Sequence, residues 1–171
     1  MSVASEWETF YVIIGSSAAA LSGLQFVVVA LSADSERIGS GPETEVFGTP
    51  TIVHFCAVLL IAAFLSIPRQ TAGTLALCLA TEGLAGLVYA LIVRRRLGQE
   101  MRYVPVLEDR IFHIALPIVA YSTLFVSGVT ACWHQVGALY VVAATALLLM
   151  FIGIHNAWDA AIYIAMAKRS Q

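Results

Sequence analysis

The chain has 171 residues, of which 60% are hydrophobic and 12% are charged, and its formal net charge is −2. This composition, with a mean hydropathy of +0.86, is typical of an integral membrane protein and excludes an ordinary soluble domain. The negative net charge argues against nucleic acid as a partner, and three cysteines without a C-x-x-C pair support neither a disulfide framework nor a zinc knuckle.

Five apolar segments are each long enough, or nearly so, to cross the hydrocarbon core of a bilayer, which takes about 20 helical residues. They cover residues 10–33, 51–67, 72–93, 111–133 and 136–157. The breaks between them are polar or contain proline and glycine, and backbone groups in lipid must be hydrogen-bonded within their own segment. The sequence therefore predicts a single all-α domain, a polytopic bundle of five transmembrane helices.

The first segment is longer than the core of a secretory signal peptide and has no positively charged start, so we expect it to stay attached. It carries small residues at intervals of four: Gly15, Ala19 and Gly23. Small residues at this spacing let another helix approach closely. This face is predicted to pack inside the bundle or between protomers, and a homo-oligomer is expected.

The third segment carries Glu82 near its middle. A carboxylate at that depth costs at least about 2.5 kcal/mol on insertion scales, so it should face the interior and be paired or protonated. Gly83 and Gly86 beside it permit close helix packing, and Gln25 and Tyr121 are candidate hydrogen-bond partners at comparable depth. Glu82 is therefore either an ion or proton site or a protonated carboxyl that only joins helices.

The fourth segment contains Pro117, which lacks the N–H that would bond to the carbonyl of His113. A kink is expected one turn after His113, with that carbonyl available to an ion, water or side chain. Asp109 lies four residues before His113, on the same helical face.

Three of the four histidines are predicted to share one depth in the bundle. Because the segments alternate in direction, His54, His113 and His155 differ in depth by only about one helical turn. Asp159 follows His155 at helical i,i+4 spacing. Imidazole and carboxylate groups on several helices suit a zinc, copper or iron site, formed by His54, His113, His155 and Asp159, or a bis-histidine haem. The same groups suit proton transfer, and interfacial histidines also bind headgroups without any further function.

The basic residues predict the orientation of the chain in the membrane. Placing the N-terminus outside leaves Arg69 alone on the outer side. Eight basic residues then lie inside: Arg37, Arg94, Arg95, Arg96, Arg102, Arg110, Lys168 and Arg169. This distribution follows the positive-inside rule. We expect an integral protein of the bacterial inner membrane, with its C-terminus in the cytoplasm.

The leading functional prediction is a small oligomeric channel or carrier for protons or cations. Its pathway would contain seven residues: Glu82, Gln25, Tyr121, His54, His113, His155 and Asp159. Two alternatives from other classes remain open. One is a membrane-embedded protein that binds a divalent metal or haem, with oxidoreductase activity as its natural chemistry, and the other is an accessory structural subunit. The recognised motifs of hydrolases, nucleotide binding and zinc proteases do not occur in the sequence.

Overall fold

The computed structural model describes residues 6–33, 42–99 and 107–169, and within these the side chains of all but 31–33, 42–48, 97–99, 109, 163, 164 and 167–169. The elements in chain order are α1 (Glu8–Ala33), α2 (Pro42–Leu65), α3 (Ala72–Gln99), the single turn α4 (Leu107–Arg110), a π-helical turn (Ile111–Ala115), α5 (Leu116–Thr130) and α6 (Gln135–Arg169). The predicted all-α class is confirmed.

Within the described residues, four helical stretches are long and apolar enough to cross a membrane. They are Glu8–Ala30, Ala72–Arg96, Ile111–Thr130 and Gln135–Ile162. The apolar part of α2, Thr49–Leu65, is shorter. The lengths and compositions of the four stretches agree with the predicted helical membrane protein.

The short helix α2 lies at the centre of the bundle, where it packs against α1, α3 and α6. Its Phe55, Val58 and Ile61 side chains are at most 1% exposed. α1 approaches it closely at Gly15, where a Cβ would lie 2.8 Å from the Cβ of Ala62. The first residue of the small-residue face of α1 therefore packs inside the chain.

Glycine also sets the contact between α3 and α5. Gly83 lies against the backbone of Phe125, and Gly128 lies against the backbone of Ala80, so a Cβ at either position would overlap main-chain atoms. The close helix packing predicted beside Glu82 is confirmed. Because backbone meets backbone there, the position of Glu82 on α3 is fixed relative to α5.

The helix boundaries differ from the predicted ones at several points, among them the end of α3, which is Gln99 where residue 93 was predicted. α2 begins at Pro42 and passes through Pro50, whereas the sequence prediction placed its start at residue 51. Proline is favoured at the first position of a helix, since the missing N–H has no partner there in any case. α6 continues to Arg169, and its apolar stretch of membrane length reaches Ile162, whereas the predicted segment ended at residue 157. Helical structure before α5 begins at Leu107.

The irregularity predicted at Pro117 is a π-helical turn in place of a simple kink. The N–H of Leu116 donates to the carbonyl of Ile111, five residues earlier. Pro117 follows as one of the first residues of α5, and the wider turn before it absorbs the break that proline makes in the hydrogen-bond ladder. His113 lies within this turn and is buried.

Candidate functional site

A buried hydrogen bond joins α2 to α5 through His54 and Tyr121. The Nδ1 atom of His54 lies 2.9 Å from the Tyr121 hydroxyl, and the two ring centroids are 5.7 Å apart. The residues are 2% and 1% exposed, respectively. Because a buried polar group is costly unless it is hydrogen-bonded, the two side chains stabilise each other in the interior. The phenol donates whenever Nδ1 carries no proton.

Glu82 lies beside this pair, on α3. The ring of Tyr121 lies against Gly86, where a Cβ would overlap it, and Glu82 is one helical turn away on the same face. Both carboxylate oxygens of Glu82 are buried without a hydrogen-bond partner among the described residues. Tyr121 was predicted as a hydrogen-bond partner of Glu82, but its hydroxyl is bonded to His54.

His113 extends the group of buried polar side chains toward the π-helical turn. It is 6% exposed, and His54 is 2% exposed. The fold thus buries two of the three histidines of the predicted layer in the interior.

His155 occupies a different place, between α6 and the turn that precedes α5. Its ring stacks on Phe112 with centroids 3.5 Å apart and planes 2° from parallel. Its Nε2 lies 3.1 Å from Oε1 of Glu108, and its Nδ1 lies 3.2 Å from Oδ2 of Asp159. The predicted i,i+4 pairing with Asp159 is present. The side chains of Glu108 and Asp159 are 66% and 49% exposed, so this group lies at the surface; the side chain of Asp109 is outside the described residues.

The four candidate metal ligands are divided between these two places. In the part of the chain that the structure describes, no group of three or more His, Cys, Asp or Glu side chains is arranged to hold a metal ion. The two nitrogens of His155 face two different carboxylates, and Nδ1 of His54 faces a phenol. The structure therefore gives no support to one metal centre formed by His54, His113, His155 and Asp159. The haem alternative stays a prediction.

Gln25 is buried at nearly the same level of the bundle as His54. α1 and α2 meet at Gly15 and Ala62. The two helices run in opposite directions. The residue ten positions after Gly15 in α1, which is Gln25, is therefore level with the residue ten positions before Ala62 in α2, which is Ile52. Gln25 is 3% exposed. Its observed depth is close to that of His54, whereas the sequence prediction placed it at the depth of Glu82.

Asn156 reaches the same level from α6. Gly153 meets the ring of Phe55, so in this antiparallel pair Asn156 lies level with Ile52 as well. It is 3% exposed, and neither atom of its amide has a hydrogen-bond partner in the described part of the chain. Internal water binds at buried polar groups that have no hydrogen-bond partner within the protein.

These residues form one buried polar layer near the start of the apolar part of α2. The layer consists of Gln25, Thr51, His54, His113 and Asn156, all of them buried. Sequence analysis did not select Thr51 or Asn156 as site residues. The signal for Asn156 was its place four residues after Ile152 and seven after Leu149, on the buried stripe of α6.

The fold and this interior describe a class of protein: an all-helical protein whose described residues include four helices long and apolar enough to cross a membrane, with ionisable groups inside the bundle. No family model matches the sequence. Comparisons with curated proteins and with solved structures find no significant match.

Proposed function

We propose that the protein is a small membrane channel or carrier for protons or cations, with Glu82 as its site near mid-membrane. The observation that carries the proposal is the burial of both carboxylate oxygens of Glu82 without a hydrogen-bond partner in the described residues. An acid that served only to join helices would use those oxygens, because a buried polar group left unsatisfied costs about 1–3 kcal/mol. Ionisable residues inside a membrane are most often ion or proton sites.

The depth of Glu82 agrees with such a role. It is ten residues from Ala72, the first residue of α3, which places it about 15 Å into the membrane at 1.5 Å per residue. One end of the bundle, which we call the basic end, bears the exposed Arg94, Arg95, Arg96 and Arg110. Between Glu82 and this basic end lie Tyr121 and the polar layer, which includes His54.

His155 and Asp159 would form the mouth of the pathway at the basic end, together with Glu108. Their exposure and their position beside the π-helical turn that holds His113 support this assignment. The mouth then offers carboxylates to an arriving cation, and acidic clusters favour cations in channels.

The proposal includes α2 as a fifth spanning helix. Its apolar part of 17 residues, Thr49–Leu65, covers about 25 Å, close to the roughly 30 Å of a bilayer core, and the helix continues back to Pro42. We further propose that the basic end faces the cytoplasm of a bacterial inner membrane, as the positive-inside rule requires. Assembly into a homo-oligomer stays a prediction.

Flux through reconstituted protein tests the proposal. Vesicles containing the purified protein are given a pH, Na⁺ or K⁺ gradient, and the flux of each ion is compared with that of empty vesicles. Glu82→Gln keeps the size of the side chain and removes its charge, and we expect it to reduce the flux at least about tenfold, the rate equivalent of 1.4 kcal/mol. Glu8→Gln is the matched control, because Glu8 is exposed at the start of α1.

Both variants are first compared with the parent protein by gel filtration and circular dichroism, so that loss of the fold is recognised. Flux equal to that of empty vesicles from folded parent protein contradicts the proposed function. So does undiminished flux through Glu82→Gln.

A further inference from the structure

We propose that the transported ion is the proton, and that Tyr121 and His54 relay it between Glu82 and the polar layer at the basic end. This inference rests on the proposed function and names its substrate and the internal half of its path.

The surroundings of Glu82 favour a proton over a metal cation. Hard cations require about six oxygen ligands or more. Next to Glu82, α3 and α5 meet backbone to backbone at Gly83 and Phe125, which leaves little room for a hydrated ion between them. The nearby hydroxyl of Tyr121 is already bonded to His54. A proton needs a single acceptor lone pair and no coordination shell.

The hydrogen bond between Tyr121 and His54 has the chemistry of a relay. A phenol both donates and accepts, and an imidazole has two distinct nitrogens, so each can take a proton on one side and release one on the other. The 2.9 Å distance between Nδ1 and the phenolic oxygen is within the range for direct transfer. The bond crosses from α5 to α2 and leads away from Glu82.

The transfer conserves protons at every step. The side chain of Glu82, which has no hydrogen-bond partner among the described residues, first turns toward Tyr121. Its carboxylic acid then gives its proton to the phenolic oxygen as the phenol gives its own proton to Nδ1 of His54. One O–H bond breaks and one forms at Tyr121, and the imidazole becomes a cation. His54 then releases the proton on Nε2 to the other residues of the polar layer. Exchange with water in that layer moves the remaining proton of the neutral ring from Nδ1 to Nε2, which restores Nδ1 as an acceptor. One proton has moved from Glu82 toward the basic end.

The polar layer supplies the next acceptor. Asn156 is more than nine-tenths buried, and both atoms of its amide lack a partner within the described residues. An amide in this condition binds water, which carries protons onward. His113 is buried in the same layer as His54.

The test compares ions and variants in the same vesicles. Tyr121→Phe removes only the relaying hydroxyl, and its ring still fits against Gly86. Tyr140→Phe is the control, because Tyr140 is exposed at the start of α6, where its ring contacts Trp7. We expect parent protein and Tyr140→Phe to carry protons and to leave Na⁺ and K⁺ flux at the level of empty vesicles. Proton flux through Tyr121→Phe should fall at least about tenfold.

The outcomes separate this inference from the proposed function. Na⁺ or K⁺ flux that depends on Glu82, without proton flux, overturns the proton inference and leaves the function standing. Proton flux that depends on Glu82 but is unchanged in folded Tyr121→Phe overturns the relay. Absence of any flux from the parent protein overturns both. If Tyr121→Phe does not fold, the reversal potential of the parent protein in a planar bilayer decides: it must follow the pH gradient, and dependence on K⁺ or Na⁺ contradicts the inference.

Discussion

At the residue scale, the candidate site depends on a glycine, Gly86, which has no side chain. Gly86 leaves the space in which the ring of Tyr121 lies across α3, and from there its hydroxyl reaches His54. Glu82 could be identified from the sequence because a carboxylate in an apolar run is rare and costly. The lack of hydrogen bonds to Glu82 could not be predicted from the sequence, because the Tyr121 hydroxyl could bond to Glu82 or to His54. Which of them it bonds depends on how α5 is rotated about its axis, and residue spacing along the sequence does not determine that rotation.

Gly86→Ala should therefore displace Tyr121. An added Cβ would overlap the ring, and overpacking of this kind costs about 1–3 kcal/mol. At about 2–4 °C per kcal/mol for a chain of this length, the melting temperature in detergent should fall by several degrees. Gly137→Ala is the control, because no atom lies within 4 Å of a Cβ there. Equal melting temperatures for the two variants would contradict the packing described at Gly86.

His155 stacks on Phe112 and contacts the carboxylates of Glu108 and Asp159. Two substitutions separate the contributions of these two kinds of contact to stability. His155→Ala loses both, whereas His155→Phe keeps an aromatic ring against Phe112. Aromatic pairs contribute about 0.5–1.5 kcal/mol beyond burial, and exposed ion pairs contribute about 0–1 kcal/mol. We expect the phenylalanine variant to recover at least half of the melting temperature lost in the alanine variant. Equal losses would show that the carboxylate contacts hold α6 to the turn before α5.

At the element scale, the π-helical turn decides where His113 lies. Pro117 made a break in the helix predictable, because proline cannot donate to the preceding turn. The form of the break was not predictable, because a kink and a π turn can each accommodate the hydrogen bond that proline cannot make. A π turn has one extra residue, and it therefore rotates the preceding helical residues about the helix axis. The start of α2 was missed for a related reason, since Pro42 and Pro50 were both assigned to the break before the second segment, although the helix begins at Pro42 and passes through Pro50.

Pro117→Ala should weaken the π turn. With an N–H restored at position 117, the regular i→i−4 ladder can close, which rotates the preceding residues by about one residue step, or 100°. His113 should then leave its buried position and react faster with diethylpyrocarbonate, detected by mass spectrometry. His134, which is exposed, is the internal standard for reagent access. An unchanged ratio of His113 to His134 modification would mean that packing holds the turn without the proline.

At the scale of the whole molecule, the sequence predicts depth well and lateral position poorly. Hydrophobic length places His54, His113 and His155 near one level. The folded chain buries the first two in the interior and puts the third beside exposed carboxylates. The alternation of helices determines depth, whereas side-by-side order depends on contacts such as Gly83 on Phe125. The small-residue face of α1 shows the same limit: it packs within the chain at Gly15 and is open at Gly23.

The orientation of the bundle can be tested with a native cysteine. Cys132 is exposed in the turn between α5 and α6, at the end opposite the basic end. With the N-terminus outside, a membrane-impermeant maleimide should label Cys132 in intact cells, and Cys132→Ser should remove that labelling. Cys132 that is labelled only after the membrane is permeabilised would reverse the proposed orientation.

The central claim is that Glu82 exchanges protons and does not merely join helices. Infrared difference spectroscopy of the protein in vesicles, taken between two pH values, measures the carboxylic C=O stretch directly. We predict a band that appears on acidification, shifts in D₂O and is absent from Glu82→Gln but present in Glu8→Gln. A Glu82 band that is the same at every pH and does not shift in D₂O would identify a permanently protonated structural acid and contradict the account.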